Sequence, residues 1–297
     1  AGYISYDHCL ELRAQTPLTI WQDLGAHFGG RGFLIGLTSI FWRESWKYGE
    51  RAFRYCNHDV GHALACLSFA ANLKGWRLLY LNMLSDQQIS DLLGFHQIEW
   101  FPNEEEHTDL VCFVDVTGSR NDIPRDIPDS TVQAVSELEF RGRPNQLSKQ
   151  HMKWSLIDKV SESVKKPETP SNIFVYETSP FRFPDPLPNL SATQIIRKRR
   201  SAVDMDGITS ISTDQFFCML DKTIPRRRHS PFNVELGEPN IHLVLFVHRV
   251  DGIVPGVYFF VRNRRDFSEL KALCKSNFLW KPLDDTFPLF LLKEVDC

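Results

Sequence analysis

The stretch that most constrains the fold is residues 43–76, RESWKYGERAFRYCNHDVGHALACLSFAANLKGW. Its first part is polar and helical in spacing, with Arg43, Glu44, Lys47, Tyr48, Glu50, Arg51, Arg54 and Tyr55. Cys56-Asn57-His58-Asp59 then reads as a short hinge, and Asn57 or Asp59 as the N-cap of a new helix. From Val60 to Leu73 the only strongly polar side chains are His62 and Asn72. Val60, Leu64, Leu67 and Ala71 share one face, and small residues fill most of the rest. A helix that is small and apolar all round is expected to be buried on every side, at a domain centre or a subunit interface. Gly75-Trp76 closes it.

Elsewhere the chain is ordinary for a globular protein. A net charge of −3 supplies no global field for nucleic acid or an anionic membrane. No apolar run reaches the roughly 18 residues of a spanning helix. The seven cysteines form no C-x-x-C pair and are odd in number, which points to free thiols and an intracellular, cytoplasmic setting, with an organelle left open. The first residue is Ala and no signal-peptide pattern follows, so the chain is expected to be a processed product or a piece of something longer.

In chain order, GYISY (2–6) reads as a strand and HCLELRAQ (8–15) as a helix or turn start. Leu18–Phe28 has helical spacing, and FLIGLTSIFW (33–42) reads as a buried strand. RLLYLNML (77–84) and DLVCFVDV (109–116) read as strands, with a helix capped by Ser85-Asp86 between them. Glu104–His107 reads as an exposed acidic turn, and helical periodicity returns around 132–140 and 149–164. Residues 165–189 hold six prolines and read as an extended linker. Beyond it, Ser191 and Thr213 cap helices, 241–250 is a buried strand with a hairpin partner at 257–263, and the chain closes with a short helix and a strand. GYISY…ELRA (2–14) also echoes GVYFF…ELKAL (256–273), which hints at an internal repeat.

Four groups of residues could carry chemistry. Arg199-Arg200-Ser201, within RKRRSAVDMDG, offers two guanidinium forks and a hydroxyl suited to a phosphate monoester. The plain alternative is a solvated basic face, which the apolar Ile195-Ile196 and Ala202-Val203 around it disfavour. His58 and His62 have the H-x-x-x-H spacing of metal ligands, but no third ligand follows, and a hydrogen-bonded structural pair is the commoner outcome. Arg43, Lys47, Arg51 and Arg54 with Tyr48 and Tyr55 form either a surface helix knit by ion pairs or a cationic wall beside an electron-rich ligand. Arg226–His229 reads as a surface loop; nucleic-acid binding would need interleaved aromatics and a net positive domain. No Walker, G-x-S-x-G or G-x-G-x-x-G motif is present, so an enzyme of this sequence would leave the hard chemistry to a cofactor.

Two of these stretches together resemble the nitroreductase family of FMN-dependent flavoproteins, in particular its thiazoline/oxazoline dehydrogenase-like branch. Arg199-Arg200-Ser201 followed by Ala202-Val203 is similar to the family's Arg-Arg-Ser motif. Lys47-Tyr48-Gly49-Glu50-Arg51, Arg54-Tyr55, Gly61-His62 and LSFAANLKGW are similar to the branch's KYGxRxxRY…GH pattern and following helix. Leu92-Leu93-Gly94, the acidic turn and HRVDGIVPGVYFF (248–260) fit the same branch. The motifs stand in reversed order, which implies the middle of a tandem duplication. Residues 1–118 would be the back part of a first repeat, 119–189 a helical and proline-rich connector, and 190–297 the front part of a second.

The resemblance implies an α+β fold, a nitroreductase-like mixed sheet with flanking helices and a buried interface helix. It implies FMN, with NAD(P)H as a possible electron donor and a small-molecule or peptide-borne substrate. The assembly would be a homodimer or an intrachain pseudo-dimer, with no nucleic acid, membrane or metal. Arg199, Arg200 and Ser201 would hold the FMN phosphate, Arg51 and Arg54 would rim the pocket, and backbone donors around Leu81 and Asn82 would face the flavin ring. No catalytic residue follows from the match. The alternative is a flavin-free scaffold derived from the same fold.

Overall fold

The computed structural model of this chain describes residues 1–29, 32–118, 123–170, 181–183, 190–227 and 229–295. Most of the expected proline linker, part of the polar loop after 118, and Arg228 lie outside the described residues. The chain forms two compact units, one of residues 1–173 and 228–236, the other of residues 174–227 and 237–297. The fold is α+β, helices laid on antiparallel sheets. The expected mixed sheet is antiparallel in every described ladder, and the parallel contact Ile211–Val250 is an isolated bridge.

The first unit opens with a hairpin of β1 (Gly2–Ile4) and β2 (Cys9–Glu11). The second limb, expected to start a helix or turn, is a strand. His8 takes the left-handed region at φ 50° and its Nδ1 meets the Tyr3 hydroxyl at 2.7 Å, which turns the chain back onto its first strand. Helix α1 (Leu18–Phe28) stops at Gly29, where φ is 62°. Strand β3 (Gly32–Ser39) leads into α2 (Phe41–Tyr48), a 3₁₀ turn over Gly49–Arg51, and the 22-residue α3 (Ala52–Leu73). Strand β4 (Arg77–Tyr80) follows, shorter than the expected 77–84 because Leu84 turns back to donate to the Leu81 carbonyl.

Helix α4 (Asp86–Leu93) begins with a full capping box: Gln88 N donates to the Ser85 hydroxyl, and the Gln88 side chain accepts from Ser85 N. Strand β5 (His107–Asp115), α5 (Asp129–Ser136) and α6 (Ser155–Ser163) complete the unit. The sheet order is β3-β5-β4, so β5 is central. Alternate β5 residues feed two cores. Leu110, Cys112 and Val114 pack with Leu64 and Ala71 of α3, Leu78 and Val234. Val111 and Phe113 pack with α1 and with Leu79, Ile89 and Val132; Phe28 stacks on Phe113 at 4.1 Å between centroids.

The second unit contains α7 (Ala192–Lys198), α8 (Thr213–Asp221), β6 (Leu243–Val247), β7 (Gly256–Phe260), α9 (Phe267–Leu273), β8 (Lys281–Pro282) and β9 (Leu289–Glu294). The sheet order is β6-β7-β9-β8. Helix α8 is capped by Ser212, one residue before the expected Thr213, again with a capping box. Its Phe216, Phe217 and Leu220 pack on Tyr258, Phe260, Leu289 and Leu291. Strand β6 was expected to be buried. It is an edge strand whose Val244 and Phe246 face outward while Leu243, Leu245 and Val247 face the core. The sequence echo fails in its second limb, since ELRA lies in and after a strand whereas ELKAL is helix α9.

Arg226, expected on a surface loop, is 3% exposed. It is ion-paired to Asp221 at 2.5 Å and donates to the Asp221 carbonyl at 2.7 Å. The other Asp221 oxygen accepts from Arg182 N at 2.7 Å, so this buried pair is fully partnered.

Gly94 gives a direct test of the α4 terminus. It ends the helix at φ 74°, and a Cβ there would lie 2.3–2.5 Å from the Phe140 ring. Gly94→Ala should lose about 2 kcal/mol or more in chemical denaturation, left-handed strain plus displacement of the ring.

Candidate functional site

Helix α3 carries no break at residues 56–59. The Asn57 amide donates to the Phe53 carbonyl at 2.8 Å instead of capping, and Asp59 lies 3.6 Å from His62 one turn on. Both histidines therefore sit within one helix and are exposed. Among the described residues no group of three His, Cys, Asp or Glu side chains could hold a metal ion. Nor is α3 buried all round. Ala52, Cys56, Leu64, Ser68 and Ala71 face inward, while His58, His62, Cys66, Phe69 and Leu73 are exposed. Small residues let the inner face approach β5 closely; on the outer face they leave an apolar surface open.

The expected cofactor residues fall into two groups. In the second unit Arg199, Arg200 and Ser201 follow α7 and are exposed. Among the described residues neither guanidinium is in an ion pair, and Arg200 Nη1 donates to the carbonyls of Arg197 and Arg199 at 2.9 and 2.8 Å. In the first unit Arg51 and Arg54 are exposed, and among the described residues no side-chain hydrogen bond or ion pair holds either. Of the expected ion-pair knit, no pair between these residues forms among the described residues; instead Lys47 lies over the Tyr48 ring at 5.0 Å, and Tyr48 meets Tyr55 edge-on at 4.7 Å. Leu81 is 1% exposed and its amide donates to the Val111 carbonyl, so it presents neither a side chain nor a free donor. Asn82 is half-buried, and its Oδ1 is buried without a hydrogen-bond partner.

A concave site that the motifs did not flag lies in the first unit, beside the N-terminal half of α3. It is a cavity of about 740 Å³. Phe41, Phe53, Phe95 and Trp100 contribute aromatic walls, and Asp86, Glu106 and Asp109 contribute carboxylates. The strand-helix junctions fix these groups. Phe41 opens α2 and stacks on His107 at 4.4 Å between ring centroids, with Phe53 5.2 Å from Phe41. Asp86 is the first residue of α4, and Asp109 lies near the start of β5, where Ser39 Oγ donates to its Oδ2 at 2.7 Å. Thr38 donates to Glu106. Burial, with the charges of Asp86 and Glu106, pushes the Asp109 carboxyl up to about 6 despite the Ser39 bond. Burial also pulls His107 down, which favours its neutral form.

The acidic turn that leads into this site was expected to be exposed; Glu105 is, Glu106 and His107 are half-buried, and Glu104 is buried. Glu104 is 3% exposed and accepts from Leu147 N at 2.7 Å, Ser148 N at 2.8 Å and His151 Nε2 at 2.6 Å. Burial pushes its carboxyl up, but these bonds prevail and hold it below the ordinary carboxylate range.

No known family profile matches the chain, and no curated protein matches it. Among solved structures, it is similar to an Anabaena variabilis protein described as a candidate nitroreductase, at 20% identity and a TM-score of 0.47. The alignment covers 86% of this chain and 55% of that one, so the chain spans about half the length of that protein.

Asp109 makes the electrostatics of the cavity measurable. Its folded-state value of about 6 lies above the ordinary 3.8, so the native state binds this proton more tightly than the unfolded chain does. The associated stability is fully present below pH 3.8 and is lost as pH rises through about 6. Asp109→Asn should therefore gain on the wild type by up to about 3 kcal/mol between pH 4 and pH 7.5, read from denaturation midpoints at the two pH values.

Proposed function

We propose that this chain is part of an FMN-dependent oxidoreductase of the nitroreductase type, exchanging hydride between reduced flavin and a small or peptide-borne substrate. The observation that carries this reading is the presence in one chain of both motifs, Lys47–Tyr55 with Gly61-His62 and Arg199–Val203. NAD(P)H is the proposed electron donor. In this reading the chain holds the back part of one repeat over 1–118 and the front part of a second over 190–297.

The charged residues suit the cofactor. Arg199 and Arg200 carry no carboxylate partner and would clamp a phosphate, with the Ser201 hydroxyl as a third donor. Arg51 and Arg54 are similarly unpaired and would supply positive charge beside an anionic reduced ring. The orphaned Oδ1 of Asn82 would accept from a ring N–H. FMN, when bound, supplies the hydride chemistry itself. The exposed apolar face of α3, with Cys66, Phe69 and Leu73, supports association with a second copy or a second repeat.

A flavin-free scaffold is the second reading. Two observations favour it: the Leu81 amide is spent on the sheet, and Arg200 is turned onto its own backbone.

The absorption spectrum of the purified protein separates the two. The flavin reading expects bands of bound flavin, or their appearance on adding FMN, and mass identification of the released cofactor. Arg199→Ala with Arg200→Ala should weaken FMN binding at least tenfold in fluorescence titration while the circular dichroism is unchanged. A colourless protein that FMN neither colours nor stabilises thermally would leave the scaffold.

A further inference from the structure

We propose that the cavity beside α3 is a binding site for an organic cation, a primary amine or guanidinium carried on an aromatic or aliphatic body. A charge imbalance around a half-open, aromatic-walled space carries this proposal, which does not depend on the flavin reading.

Three carboxylates line the cavity, and among the described residues none of them is in a direct ion pair. Asp86 Oδ2 accepts from the Lys166 backbone N at 2.9 Å, Asp109 Oδ2 accepts from the Ser39 hydroxyl, and Glu106 accepts from the Thr38 hydroxyl. All three donors are neutral, and the second oxygen of each carboxylate has no protein donor. Of the two lysines that line the same cavity, Lys165 is turned to another carboxylate, and the charge of Lys166 bears on Asp86 and Glu168. Lys165 is ion-paired with Glu162 at 2.6 Å. Lys166 Nζ spends its three protons on the Leu84 carbonyl, Thr169 Oγ1 and the Pro167 carbonyl, at 2.7, 2.9 and 3.2 Å. His96 is turned to the Ser136 carbonyl at 3.1 Å and lies 3.8 Å from Asp91. Glu106 and Asp109 are therefore left without a facing cation among the described residues, and a bound cation would complete them.

The walls decide which kind of cation. Phe41, Phe53, Phe95 and Trp100 present ring surface, and aromatic faces attract an ammonium or guanidinium group while burying an apolar body. A volume of about 740 Å³ accommodates a small organic molecule. The carboxylates do not converge as metal ligands, since no acidic or imidazole trio among the described residues could hold a metal ion. Acceptors spread around an aromatic space suit a cation with several N–H donors on an extended frame.

The probe is 2-phenylethylamine, titrated calorimetrically into the whole chain at pH 7.5, with 2-phenylethanol as its uncharged analogue and calcium chloride as the inorganic control. The amine should bind at least tenfold more tightly than the alcohol, and calcium should not compete. Asp109→Asn and Glu106→Gln should each lower amine affinity several-fold, with folding verified by an unchanged denaturation midpoint or a higher one. Affinity should fall as pH drops below about 6, where Asp109 takes up its proton. Asp86, His96, Glu106, His107, Lys165 and Lys166 face the same space; His96→Gln, His107→Gln and Asp86→Asn controls assign the titration. Equal binding of amine and alcohol, amine binding unchanged in the Asp109→Asn/Glu106→Gln double variant, competition by calcium, or no amine binding at millimolar concentration would each overturn the proposal. None of these outcomes depends on whether the protein carries flavin.

Discussion

Strand β5 must bury both of its faces, and the first unit is arranged to let it. Leu110, Val111, Cys112, Phe113, Val114 and Asp115 are all buried, in a strand flanked by partners on both edges. A strand apolar on both sides needs a helical layer above and another below. Helices α1, α4 and α5 supply one, and α3 supplies the other. The Cys112 thiol records how dry the result is, since burial pushes it up to about 12. The polar start of the same strand, His107 to Asp109, lies at the sheet's end, where the helical layers no longer cover it, and the cavity opens there.

The layer under α3 is completed from far along the chain. Residues 228–236 belong to the first unit, and Val234 is fully buried in its core. Asn233 accepts from Ser68 of α3 at 2.6 Å, and Glu235 is ion-paired with Arg125 at 2.7 Å. Arg125 also donates to the outward carbonyl of Tyr80, so β4 is not a bare sheet edge. The buried Ser68 is what a helix of small residues gains here: a hydroxyl close enough to tie a remote segment down.

How much of this was legible in the sequence depended on whether a signal was local. Helix α1 and the Ser85 and Ser191 caps read out directly, because capping boxes and a left-handed glycine are written in adjacent residues. The supposed hinge at 56–59 did not, because Asn57 and Asp59 have the chemistry of caps but sit in a helix already nucleated at Ala52. The burial of Glu104 and Arg226 was illegible for a different reason. Each charged side chain is drawn inside by partners elsewhere, the Leu147–His151 loop in one case and Asp221 with Phe181 in the other. The cavity escaped notice likewise, since its aromatics and carboxylates come from five separate segments with no motif among them. Its one local sign was Asp109, a charged residue just before the apolar run Leu110–Val114 of β5.

That residue also bears on what kind of protein this is. A carboxylate beside two others, in a half-buried cavity and without a cation, destabilises the folded state at neutral pH. Removing the charge would be a simple repair, since Ser39 could hydrogen-bond to an asparagine in its place. Stability alone therefore does not account for the acid at this position. An unfavourable charge held where the surface is concave is a common mark of a site shaped by a ligand rather than by the fold. The exposed arginines after α7 present the complementary case, cations without anions, at no comparable cost because water screens them. Of the two charge imbalances, the one in the cavity is the stronger physical statement, because only there does the folded chain lose stability by keeping it.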